Sequence, residues 1–88
     1  GANGVAYQKV AQAAAYAVQD STDYLRNIMS MASATTGVAM QQMLVKKEVS
    51  PYADIIKAAT QAVTDAQKTF SNVGESASSV VKDFDSLA

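Results

Sequence analysis

Tyr52 to Leu87 reads YADIIKAATQAVTDAQKTFSNVGESASSVVKDFDSL, and its apolar residues recur alternately four and three positions apart. In order they are Tyr52, Ile56, Ala59, Val63, Ala66, Phe70, Val73, Ala77, Val80, Phe84 and Leu87. Residues so spaced share one stripe of an α-helix, and a seven-residue repeat held this long marks a helix packed lengthwise on other helices. A second stripe, Lys57, Gln61, Thr64, Lys68, Ser71, Glu75, Ser79, Lys82 and Ser86, is polar throughout. One face is therefore solvated and the other, the seam, needs a partner helix.

Immediately upstream, Lys46, Lys47, Glu48, Val49, Ser50 and Pro51 form the one clear break in the chain. Cations suit a helix C-terminus, Ser50 is a good N-cap, Pro51 fits the first position of a new helix, and Asp54 adds negative charge near its start. So short a connection folds two helices back on each other. The sequence thus predicts an all-α fold in a single domain, 1–88. A first helix covers about 4–47, a turn 48–50 and a second helix about 51–86, forming an antiparallel αα-hairpin with arms of roughly 50 to 65 Å. Asn3 is placed to cap the first helix. Gly74 lowers helix propensity and marks a possible kink between Val73 and Ser79, and the tail from Lys82 is expected to fray.

The first helix has two adjacent stripes that are both largely apolar or small. Its packing positions are Val10, Ala14, Ala17, Val18, Tyr24, Leu25, Ile28, Met31, Ala32 and Val38. One neighbouring helix cannot cover both stripes, so burial on several sides is expected. Met29, Met31, Met40 and Met43 read as core filling. Small residues four apart, Ser33 with Gly37 and Ser30 with Ala34, permit close helix approach. Asp23 can reach Arg26 one turn on as an exposed ion pair.

Seven basic residues against eight acidic ones, in 88, point to neither a nucleic-acid binder nor a charged tail. Cysteine and histidine are absent, which removes thiolate metal sites, disulfides and the commonest catalytic base. No phosphate loop, calcium loop or zinc spacing occurs. The sequence therefore reads as a non-enzyme with no catalytic residue, cofactor or metal. The uncharged run Asn27 to Val45 has about the 20 residues needed to cross a bilayer, but its Asn, Gln, Ser and Thr residues argue against that role. No secretory signal is visible, and what precedes Gly1 is left open.

The seam itself is thin. Ala59, Ala66 and Ala77 each add little beyond one methyl, about 0.8 kcal/mol. A hairpin with so slight a core, and a second apolar stripe on its first helix, is expected to be completed by neighbouring copies in a helical or ribbon polymer.

Ala13 to Leu44, AAAYAVQDSTDYLRNIMSMASATTGVAMQQML, resembles the structural proteins of bacterial refractile bodies, the R-body or killing-trait family. The matching pieces are Ala17, Val18 and Gln19, then Asn27 and Ile28, then the run from Ala34 through Thr35, Thr36, Gly37 and Val38 to Ala39. They cover about a third of the chain, which departs from the pattern at Asp20, Asp23, Arg26 and in its Pro51 seam helix. The resemblance implies a subunit of an insoluble ribbon, coiled as a cytoplasmic inclusion, that extends on acidification and ruptures membranes. Its partners would be many copies of itself, with a paralogous subunit as a further candidate, no nucleic acid, and membranes met only by the assembled particle. Without histidine, a response to mild acid must use carboxylates desolvated at subunit contacts. Asp20 and Asp23 are the first candidates, with Asp83 and Asp85 behind them. The rival readings are a secreted filament subunit and a phasin-like amphipathic coat on a lipid or polyester granule.

Overall fold

The computed structural model describes residues 1–87, with side chains through Ser86. The chain is all helical. Helix α1 spans Ala2–Lys46 and α2 spans Tyr52–Leu87, joined by residues 47–51 in an antiparallel αα-hairpin. α1 starts two residues before the predicted boundary because the Val5 amide donates to the Gly1 carbonyl at 3.2 Å, which puts Gly1 and not Asn3 at the cap. α2 runs through Gly74 without interruption, and it continues to Leu87 where fraying was expected from Lys82.

The turn differs in detail from the sequence expectation. Lys47 adopts φ 54°, the left-handed conformation that ends many helices and that glycine usually supplies. At the start of α2 the Pro51 carbonyl accepts hydrogen bonds from the Asp54 and Ile55 amides at 3.2 and 3.3 Å. Pro51 therefore holds the capping position expected of Ser50, since the cap residue is the one whose carbonyl accepts the first helical bond. Lys46 closes the turn from the other side, its ammonium 5.7 Å from the centre of the Tyr52 ring.

Two compact units make up the hairpin, a terminal unit of Gly1–Asp23 with Lys68–Ala88 and a turn-proximal unit, Tyr24–Gln67. In the terminal unit the rings of Tyr7 and Phe84 meet at 6.4 Å, tilted by 33°. Val10, Ala14 and Val18 of α1 and Phe70, Val73 and Ala77 of α2 are half-buried there. Ser21 is 8% exposed, its hydroxyl donating to the Val18 carbonyl at 2.8 Å, and Thr22 donates to the same oxygen at 2.9 Å. A hydroxyl satisfied by its own helix can sit in a seam without an orphaned donor.

In the turn-proximal unit the buried positions are Ala39, Ala59 and Ala66, at 3%, 8% and 2% exposure. Around them Leu25, Ile28, Ala32 and Met43 of α1 and Tyr52, Ile56 and Val63 of α2 are half-buried. Among the described residues only these three alanines and Ser21 are buried. The hairpin core is thus made of methyl groups, flanked by larger side chains that remain partly wet.

Candidate assembly surface

From Tyr52 to Ala77 every predicted seam residue of α2 is buried or half-buried, as is Phe84. Val80 is exposed, and Val81 takes the inward position in its place. The cause is geometric. A straight helix advances about 100° per residue, so a strict seven-residue repeat drifts by about 20° per heptad. Counted from Phe70, Val80 has rotated about 80° off the seam and Val81 only about 20°. The side chain of Leu87, the last predicted seam position, lies outside the described residues.

On α1 the ten predicted packing residues divide into two sets. Val10, Ala14, Val18, Leu25, Ile28 and Ala32 are half-buried, whereas Ala17, Tyr24, Met31 and Val38 are exposed. The exposed four are seven residues apart, so they form one stripe along α1, and a single partner helix leaves that stripe uncovered. The reading of the methionines as core is corrected as well. Met29, Met31 and Met40 are exposed and only Met43 is half-buried, although Met29 and Met31 border open grooves shared with α2 residues. Ser21 and Ala39, buried in the structure, lie on the two apolar or small stripes of the first helix but were not among the ten packing positions chosen from them.

Met31 is 66% exposed and Val38 59%. They border two adjoining open pockets of the turn-proximal unit, about 340 and 370 Å³, which share Thr35 and Ile55. Ile55, at the start of α2, forms the ridge between them. No residue from Asn27 to Val45 carries a charge, so this face is apolar and uncharged. A third groove of this unit, about 460 Å³, is lined by Ser33, Thr36, Thr60, Thr64 and Gln67 with Met29 and small residues. There Thr60 and Thr64 donate to the Ile56 and Thr60 carbonyls of their own helix, at 3.0 and 3.2 Å.

In the terminal unit the largest groove, about 610 Å³, is lined by Val10, Ala13, Ala14 and Ala17 on one wall. Thr69, Asn72, Val73, Ser76, Ala77 and Val80 form the other, and none of these ten residues is charged. Asp20 and Asp23 are both exposed, as are Asp83 and Asp85, so burial of any of these carboxylates requires a neighbouring subunit. Asp23 and Arg26 form no ion pair among the described residues. Gly37 is exposed and a Cβ there would meet nothing within 4 Å, so its small size serves no contact inside the hairpin.

No group of metal-binding side chains occurs among the described residues, and no helix is long and apolar enough to cross a membrane. No protein-family model matches the chain, and neither a curated protein nor a solved structure is significantly similar to it.

Proposed function

We propose that this chain is the self-assembling structural subunit of a proteinaceous polymer, a ribbon of the R-body type held as a cytoplasmic inclusion. The observation that carries the proposal is the inversion of the usual burial pattern. Three alanines and a serine are buried while Tyr24, Met31, Val38, Leu44 and Val45 stay exposed. The chain presents 6416 Å² of surface, against about 4,900 Å² for a compact monomer of 9.2 kDa. The resemblance of Ala13 to Leu44 to R-body proteins supplies the particular form, a ribbon that extends in acid.

Electron microscopy of the purified protein at neutral pH and near pH 5 tests this. Ribbons that change shape in acid are the expected result, and replacing Asp20 and Asp23 together by Asn should preserve the ribbons and remove the acid response. Filaments indifferent to pH would leave an ordinary structural polymer and sink the R-body assignment. Dispersed small particles that coat lipid or polyester granules would replace self-assembly with the granule-coat reading.

A further inference from the structure

The two helices of the hairpin meet along one seam, and the same seam can form between α1 of one copy and α2 of another. We propose that the chain opens at residues 47–51 and exchanges α2 with a second copy, giving a two-chain particle in which each α1 is covered by the other chain's α2. The exchange does not depend on the polymer reading.

Three observations carry it. The first is what opening breaks. The seam consists of the buried alanines, Ser21 and half-buried apolar side chains, with the Tyr7 and Phe84 rings in the terminal unit. The hydroxyls of Ser21, Thr22, Thr60 and Thr64 donate to carbonyls of their own helices, so they are as well satisfied in an open chain as in a closed one. With no cysteine in the chain, no disulfide ties α1 to α2. Each α1 regains from the second copy the same alanines and ring that it gave up, which is why exchange of an identical element is a low-cost route to a dimer.

The second is the turn. Lys47 holds φ 54°, a conformation in which an L side chain crowds the following carbonyl. Only the short segment 47–51 separates the two helices. Short connections under strain invite exchange, because an open chain releases the strain that a closed one keeps.

The third identifies the partner. Leu44 and Val45 are the two most exposed large apolar side chains among the described residues, at 79% and 70%, and Val49 is 66% exposed. All three flank the turn. In an exchanged pair both chains cross from one half of the particle to the other at this segment, so the two turns lie side by side about a two-fold axis, where like meets like. These side chains then cover their own counterparts. Each turn also brings Lys46, Lys47 and Glu48, so charges of both signs meet there. The connectivity of the exchange itself places a second copy against the segment that the closed hairpin leaves in water.

The test ties the hairpin shut. Met31 on α1 and Ala62 on α2 are both exposed and border the same groove of the turn-proximal unit. Met31→Cys with Ala62→Cys therefore leaves the seam intact and supplies the only two thiols in the chain. A short bismaleimide added at high dilution links them within one chain. At concentrations below ribbon formation, the untied protein should sediment as a two-chain particle and the tied protein as a single chain. The same reagent added after concentration should join two chains covalently. Lys47→Gly relieves the turn and should raise the concentration needed for pairing about tenfold. Leu44→Ser removes cover from the joined turns and should also raise it about tenfold, with helicity by circular dichroism unchanged because the position is exposed in the closed hairpin.

Tied chains that pair as readily as untied ones overturn the exchange, since closed hairpins are then associating through their outer surfaces. An untied protein that stays single at every concentration below ribbon formation overturns it too. So does pairing of both Lys47→Gly and Leu44→Ser at the concentration of the unaltered protein, which removes the turn as its cause. The polymer reading is judged separately, from ribbons at higher concentration, and stands or falls without the exchange.

Discussion

Among the described residues the turn-proximal unit exposes nine of the twelve large hydrophobic side chains left exposed, and the terminal unit three. In the terminal unit Tyr7 and Phe84 are spent on each other, and only Val5, Tyr16 and Val80 remain outside. The turn-proximal unit does the reverse: it closes on Ala39, Ala59 and Ala66 and leaves Tyr24, Met31, Val38 and Ile55 at the surface. Two lengths of the same hairpin thus solve the packing problem differently. Where methyl groups suffice to join the helices, the larger side chains become available for other contacts. Burial of apolar surface is the dominant favourable contribution to association, so the unit that leaves more large apolar side chains exposed has more to gain from being covered.

The largest effect on this contrast is expected from overfilling the methyl seam. Ala66 is 2% exposed, so Ala66→Leu has no space for its added carbons and should destabilise the hairpin by about 3 kcal/mol. Ala62, four residues earlier and exposed, provides the control, and Ala62→Leu should leave stability nearly unchanged. Urea unfolding at concentrations below assembly measures both. Equal tolerance at the two sites would mean that the alanine contact is loose and that the two units do not differ in the way their side chains suggest.

A somewhat smaller effect should follow from opening the aromatic contact of the terminal unit. Phe84→Ala removes a half-buried ring and its partner for Tyr7, at a cost of about 2 kcal/mol. Hydrogen exchange can show where that cost falls. Amides of residues 1–23 and 68–87 should exchange faster while those of 24–67 keep their protection, because compact units open separately. Uniform loss of protection along both helices would show one cooperative unit instead of two.

Much of this organisation was legible in the sequence, and the places where it was not have physical causes. The two helices, their break at Lys46 to Pro51 and the α2 seam as far as Ala77 follow from periodicity, because one partner helix covers one stripe. The drift from Val80 to Val81 requires the difference between 3.5 and 3.6 residues per turn to accumulate over several heptads. On α1 the two stripes are nearly equal in hydrophobicity, so the pattern alone could not say which one faces α2. Neither stripe faces α2 whole: Val10, Ala14, Ser21 and Ile28 of one and Val18, Leu25, Ala32, Ala39 and Met43 of the other are buried or half-buried, so α2 lies along the border between them. Met31 and Val38 were expected at packing positions, and within the hairpin both are exposed.

The turn offers the smallest and cleanest test of how the turn-proximal unit is closed. Lys47 is the one non-glycine with positive φ among the described residues, at 54°. An L side chain in that conformation costs about 1 to 2 kcal/mol, and glycine relieves the clash while losing about 0.4 to 1 kcal/mol to the greater freedom of its unfolded chain. Lys47→Gly should therefore stabilise the hairpin by about 0.5 to 1 kcal/mol, raising Tm by about 4 °C. Lys47→Asn should give part of the gain, since asparagine tolerates this conformation better than most residues. Lys47→Ala removes the charge but keeps the Cβ, so it should give none. A rise in Tm with alanine equal to that with glycine would assign the effect to relief of repulsion with Lys46 and not to the backbone. The turn would then constrain the turn-proximal unit through charge, and the conformation of residue 47 would have no share in closing it.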